Sequence, residues 1–253
     1  MTQGSYKQFC PVAMAAEVLC TRWTVVVLRE LIAGSNRFND LRRGVPRMSP
    51  ALLAKRLRDL EEAGVVRRAA ARGEPGVFEY RLTRAGEDLR PVIEAIGVWG
   101  QRWVDTELSL ENLDPSLLMW DMRRNLLPAP LPVRRCVVHF EYPELPPARR
   151  QWWLLVEPET GVDLCSVDPG FEVDLYVTTD LRTMTAIWMG LSTVRDATAA
   201  GRLTLTGDRQ LGKRMQSWLG LSPFAAEKKL AAVGSSAGHR PVDSGAQRTT
   251  AQG

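Results

Sequence analysis

Histidine and cysteine are scarce in this 253-residue chain. It has two histidines, at positions 139 and 239, and four cysteines, at 10, 20, 136 and 165, with no CxxC pair. A structural zinc site needs clustered Cys and His ligands, so no metal is expected, and four scattered cysteines do not suggest a disulfide framework. No apolar run approaches the ~20 residues that span a bilayer. The opening MTQGSYKQFCPVAM lacks a charged segment followed by an apolar one. No membrane partner or secretory signal is therefore read, and a cytoplasmic location is expected. One cofactor signature is missing as well: no GxGxxG loop to cradle a cofactor. Asp163, Asp168, Glu172 and Asp174 cluster in sequence, but carboxylates on loops and strand edges are usually solvated. The reading is of a protein with no cofactor, no catalytic residue and no enzymatic function.

What is present is a basic N-terminal half. Residues 1–103 carry seventeen Lys and Arg against eleven Asp and Glu, whereas residues 104–230 carry fourteen against seventeen. Excess positive charge on one half is the electrostatic footprint of a nucleic-acid-binding module. The length allows two modest domains, each with its own core.

The most informative stretch runs from Arg37 to Leu82. Arg37 to Arg42 reads as a short helix, followed by a turn and a well-capped second helix over Ser49 to Glu62. Ser49 suits the N-cap and Pro50 the first helical position, while Leu53, Leu57 and Leu60 form a buried stripe and Gly64 takes the left-handed C′ position. VVRRAAA and VFEYRLT then read as two strands joined by the Gly/Pro-rich turn Arg72–Gly76. This order describes a winged helix-turn-helix. The exposed face of the second helix, with Ser49, Ala51, Lys55 and Arg58, is placed to read bases in a major groove, with Arg56 on its flank. Arg37, Arg42, Arg43, Arg47, Arg67, Arg68 and Arg72 surround it as phosphate contacts.

Two helices are read before this stretch, Val12–Leu19 and Trp23–Ile32, and a long one after it, from Thr83 to Val104, with Pro91 tolerated or kinking it. Leu89, Val92, Ile96, Trp99 and Trp103 are spaced three, four, three, four, an a/d seam that predicts a dimer interface formed with help from the first helix. A two-fold dimer implies a pseudo-palindromic operator on double-stranded DNA. Cys10 stands just before a helix N-terminus, whose field favours thiolate, which makes it a candidate redox sensor.

Residues 105–114 are acidic and read as a linker, and 115–230 as an α+β second domain. Its expected strands are 133–142, 151–157, 161–167, 173–178 and 203–206, and its expected helices are 115–124, 181–189, 194–200 and 208–218. Strand alternation puts Trp152 or Trp153 inward, not both. From 231 to 253 the composition predicts disorder.

The first 103 residues resemble the HxlR-type family of winged-helix regulators. The text that carries the resemblance is CPVAMAAEVLCTRWTVVVLREL, RFNDLRRGVPRMSPALLAKRLRDLEEAGVV and FEYRLTRAGEDLRPVIEAIGVWGQRW. The resemblance implies a homodimer built on the terminal helices, with Ser49–Glu62 as recognition helix and Gly73–Gly76 as wing tip. The family often has glycine where this chain has Cys20-Thr21. Some members sense oxidants through a cysteine at the Cys10 position. Residues 115–229 resemble a sterol-carrier-protein-type domain, through strands followed by DLYVTTDLRTMTAIWMGLSTVRDATAAGRLTLTGDRQLGKRMQSWLG. That resemblance implies an apolar ligand site, with Trp152, Leu164, Leu175, Met184, Trp188, Met215 and Trp218 as its candidate lining.

The fold class read from the sequence is thus α+β: a winged helix-turn-helix over residues 1–104 followed by a sterol-carrier-protein-like domain. The expected function is a homodimeric, DNA-binding transcriptional regulator with an apolar effector. The alternatives are a redox-sensing regulator acting through Cys10, and a lipid carrier or enzyme that keeps the winged helix for dimerisation.

Overall fold

The computed structural model describes residues 5–105, 110–159 and 161–230. The expected disordered tail, 231–253, lies outside the described residues, as does the middle of the expected linker.

The N-terminal half runs α1 (Pro11–Leu19), α2 (Thr24–Ile32), α3 (Phe38–Gly44), α4 (Pro50–Glu62), β1 (Val66–Ala70), β2 (Phe78–Leu82), α5 (Arg84–Glu87) and α6 (Arg90–Trp103). The helix-turn-helix is α3 and α4, and the two-stranded antiparallel wing is β1 and β2, in register from Val66↔Leu82 to Ala70↔Phe78. Its core gathers Val27, Leu28 and Leu31 of α2, Leu41 of α3, Leu53, Leu57 and Leu60 of α4, and Ile93 of α6. The Ser49 hydroxyl caps α4 by accepting from the Leu52 amide at 3.3 Å. The other end closes as a Schellman turn: Gly64, at φ 71°, donates to the Glu61 carbonyl and Val65 to the Leu60 carbonyl.

The expected helix from Thr83 to Val104 is two helices. Thr83 caps the short α5 through the Gly86 amide, and the chain breaks at Asp88 and Leu89. Pro91 has no N–H for the Glu87 carbonyl and its ring crowds that carbonyl, so the continuous helix cannot pass this point. Pro91 instead occupies the first turn of α6.

The C-terminal half begins with α7 (Pro115–Asn125), capped by the Asp114 carboxylate, which accepts from the Ser116 and Leu117 amides. It continues β3 (Cys136–Glu141), α8 (Pro147–Arg150), β4 (Gln151–Glu157), β5 (Gly161–Cys165), β6 (Leu175–Thr179), α9 (Leu181–Trp188), α10 (Val194–Ala199), β7 (Leu203–Gly207), α11 (Arg209–Lys213) and α12 (Met215–Trp218). The strands form one mixed sheet in the order β5-β4-β3-β6-β7, with β3 and β6 parallel and every other pair antiparallel. The expected helix over 208–218 is interrupted at Arg214, whose ψ is 5°.

Strand alternation sends Trp152, Leu154 and Val156 into the main core, and Trp153 and Leu155 to the opposite face beside Val137. The alternation is as expected, yet both tryptophans are buried, because the second face of the sheet is covered too. The packing divides the candidate ligand-lining set. Met184, Met215 and Trp218 have no exposed surface, and Leu175 almost none, within one continuous core that also holds Trp152 and Trp188. A side chain with no water-accessible surface borders no water-sized space, so Met184, Met215 and Trp218 fill the core, whereas Leu175 and Trp188 each also border a surface cavity. Leu164 packs, partly buried, at the edge of that core.

The two halves are joined along α2, α3 and α6. The Arg124 guanidinium of α7 donates to both carboxylate oxygens of Glu30 in α2, at 2.8 and 2.9 Å, and Ser35 donates to Glu30 at 3.2 Å. Arg29 and Asp121 complete this buried network. The chain then returns past Trp218, so that the Phe224 ring seats against α6 at Gly97, Glu227 pairs with Arg102, and the Leu230 amide donates to the Arg102 carbonyl. The expected linker is likewise tied down where it is described: Leu110 is buried and Asp114 pairs with Arg149 at 2.9 Å.

Candidate nucleic-acid interface

The face of α4 opposite its leucine stripe is built by helical periodicity alone. Ala51, Lys55 and Arg58 share it, all exposed, with Ser49 at its N-terminal edge. Lys55 pairs with Asp59 one turn on, at 2.9 Å. Partial burial opposes ionisation of Asp59, but hydrogen bonds from Lys55 and Arg56 outweigh it and hold the carboxyl below its usual value. Arg58 carries no ion pair among the described residues.

Arg56 departs from the expected set. Its side chain turns back against the body of the domain, where Nε donates to the Arg22 carbonyl at 3.1 Å and the guanidinium pairs with Asp59. It ties α4 to the loop before α2 instead of presenting a free cation. That loop has its own constraint: Trp23 adopts φ 80° at the start of α2, a left-handed conformation costly for a bulky residue.

The wing carries the second group of cations. Gly73 and Gly76 take φ 78° and 79°, which lets the five-residue connection fold back. Arg72, beside the tip, is exposed and without an ion pair among the described residues, as are Arg67 on β1 and Arg42 on α3. The Arg68 guanidinium stacks on the Phe78 ring at 3.8 Å. Arg37 pairs with Glu74 at the wing tip, and that hydrogen bond and charge hold it more firmly protonated. Arg47, in the turn before α4, donates to the Asn112 side chain at 3.3 Å and is exposed. Arg43 lies over the Trp120 ring of α7 at 5.2 Å and pairs with Asp40 at 3.7 Å, its side chain still 57% exposed.

The seam on α6 also divides. Val92, Ile96 and Trp99 are exposed, Trp99 at 58%, while Leu89 packs on its own domain's core and Trp103 is half-buried. Helix α1 has no buried residue, and Phe9 (98% exposed), Val12 and Met14 stand in solvent beside it. Cys10 is the N-cap of α1. The backbone amides of Ala13 first, then of Val12, at this helix N-terminus lower its thiol pKa. Burial pushes Cys136 up to about 12 and Cys165 upward as well. His139 is buried against the Trp153 and Tyr176 rings, and desolvation holds its pKa down.

Sequence reasoning missed the network at Glu30. A Glu inside the apolar run TVVVLRELI is the signal that could have found it, since a buried carboxylate must be paired. Glu30 has no exposed surface; burial opposes its ionisation, but Arg124 and Arg29 together lower its pKa below 4.5. Asp121 goes the other way, raised because burial outweighs its pairing with Arg124.

A family model described as HxlR-like helix-turn-helix matches residues 18–108. The uncharacterized HTH-type transcriptional regulator YvaP of Bacillus subtilis is 34% identical over 99 residues, which are 39% of this chain and 92% of that protein. YdeP, of the same organism and description, is 35% identical over 102 residues, 40% of this chain and 80% of that protein. The solved structure of the redox regulator HypR in its reduced form is 33% identical, covering 36% of this chain and 91% of that one, at a TM-score of 0.34. Through its N-terminal winged helix-turn-helix, this chain belongs to the HxlR-like helix-turn-helix family.

Proposed function

We infer that this protein is a DNA-binding transcriptional regulator that acts in the cytoplasm as a homodimer on a pseudo-palindromic operator. The observation that carries the reading is the exposed α4 face of Ala51, Lys55 and Arg58, flanked by Arg42, Arg67 and Arg72, which carry no ion pair among the described residues. A helix fits a major groove when cations on both sides can meet the two phosphate strands. The uncovered apolar residues of α1 and α6 support dimerisation, since contiguous exposed apolar surface on a stable protein marks an interaction site. Fluorescence anisotropy with the full chain and duplexes from the intergenic DNA beside its own reading frame tests the function. Saturable binding that survives excess random duplex is expected; equal affinity for every duplex at low salt would sink the reading.

Residues 115–230 are read as a sterol-carrier-protein-like module that passes an effector signal to the winged helix. The mixed sheet with a helical core on one face supports this reading. A second reading, regulation through thiol oxidation, is favoured by the lowered pKa of Cys10 at the α1 N-terminus. In that case the Cys10→Ser variant keeps binding DNA after peroxide treatment while the parent protein releases it; equal release from both excludes the switch.

A further inference from the structure

A cavity of about 570 Å³ opens where the two halves of the chain meet, within the range of small-molecule sites. Its apolar wall faces α6 with the C-terminal half: Ile93 and Val98 stand across from Trp188 and Phe224. The approach of Phe224 depends on Gly97, where a Cβ would lie 2.2 Å from the ring. The polar end is built from arginines whose pairing is uneven. Arg124 is saturated by Glu30 and Asp121. Arg29 commits Nη2 to Glu30 and to the Gly44 carbonyl, yet its side chain keeps 34% of its surface exposed. Arg90, at the cavity's edge, donates to the Ile32 carbonyl and to Glu87. Glu94 is the exposed acid of the lining. The carboxylates of Glu30 and Asp121 are paired with Arg124 and Arg29, so the exposed edges of the Arg29 and Arg90 guanidinium groups are what an acceptor oxygen would meet at this end.

We propose that this interdomain cavity binds an aromatic small molecule carrying one anionic group, its ring between the α6 wall and Trp188 and Phe224, its oxygens toward Arg29 and Arg90. An occupant touches α6, which bears the exposed apolar stripe, and the C-terminal half at once. Binding would thus bias how the two halves sit together, as an effector with different affinity for two states must. This site is distinct from the filled core of the C-terminal sheet.

The test uses the full chain without DNA, so its failure would leave the DNA-binding reading standing. The probe is 8-anilinonaphthalene-1-sulfonate, an aromatic anion, followed by fluorescence titration. One saturable site per chain is expected. Ala33→Trp, at an exposed position of the lining, should weaken it at least tenfold, and Arg90→Glu at least fivefold, with thermal unfolding showing both variants folded. Glu94→Gln should leave binding equal or tighter. No saturable site in the parent protein, or unchanged affinity in both Ala33→Trp and Arg90→Glu, overturns the proposal. So does loss of the site in Trp99→Ser, which would place the probe on the exposed stripe.

Discussion

Glu30 shows what a single residue decides here. A carboxylate with no exposed surface is tolerated only because Arg124 meets it with two hydrogen bonds and Ser35 with a third. Removing one partner of such a pair typically costs about 3–5 kcal/mol, because the other charge stays buried. Glu30→Gln should therefore lower stability by that order in denaturant unfolding, and a loss within error would show the pair contributes little. The pH dependence follows from the sign of the shift. A carboxyl lowered on folding contributes stability that is present above its ordinary 4.5 and is lost as pH falls through the folded value. The raised Asp121 acts oppositely, losing its contribution as pH rises through its folded value. Glu30→Gln should flatten the acid side of the stability curve. On the DNA-binding face, Arg58→Ala should cost about 1–3 kcal/mol on the preferred duplex and relax sequence preference. Arg72→Ala should weaken every duplex alike and reduce the salt slope by about one per protomer, about two for the dimer. Anisotropy titrations at several salt concentrations distinguish these outcomes.

Among the elements, α6 carries two duties on two faces. Ile93 belongs to the domain core, Gly97 receives Phe224 from the C-terminal half, and Val92, Ile96 and Trp99 face solvent. If the solvent face meets a second copy, Ile96→Glu buries a charge against its symmetry mate. The variant should run as a monomer in light scattering and lose DNA affinity by more than tenfold, while its circular dichroism is unchanged. A dimer that survives this substitution would move the interface elsewhere. The break between α5 and α6 belongs to the same scale. Apolar periodicity runs through Leu89 and does not register the break, whereas Pro91 imposes it through a missing donor and a steric clash.

For the whole molecule, charge and connection matter most. If Arg42, Arg67 and Arg72, which carry no ion pair among the described residues, meet phosphates as proposed, each protomer makes about three such contacts. A dimer with about six such contacts should lose on the order of a thousandfold in affinity between 50 and 200 mM salt. A nearly flat salt dependence would contradict phosphate neutralisation by this surface. The C-terminal half is not tethered loosely: the Glu30–Arg124 pair, Arg43 over Trp120, and the 222–230 segment along α6 fix it to the winged helix. A signal arising in either half therefore has packed, charged and hydrogen-bonded routes to the other.

The sequence by itself determined the local features. The Ser49–Pro50 start and Gly64 stop of α4, the leucine stripe, the glycine-rich wing turn and the strands of the C-terminal sheet follow from spacing and backbone preference, which act within a few residues. Only the tertiary structure decided where distant groups meet. It turned Arg56 inward to Arg22, set Arg43 against the Trp120 ring, gave Glu30 its partner 94 positions away, and buried Met184, Met215 and Trp218 in the core. The physical reason is that burial and pairing depend on what packs across the interface, and periodicity along one element carries no record of what lies opposite it.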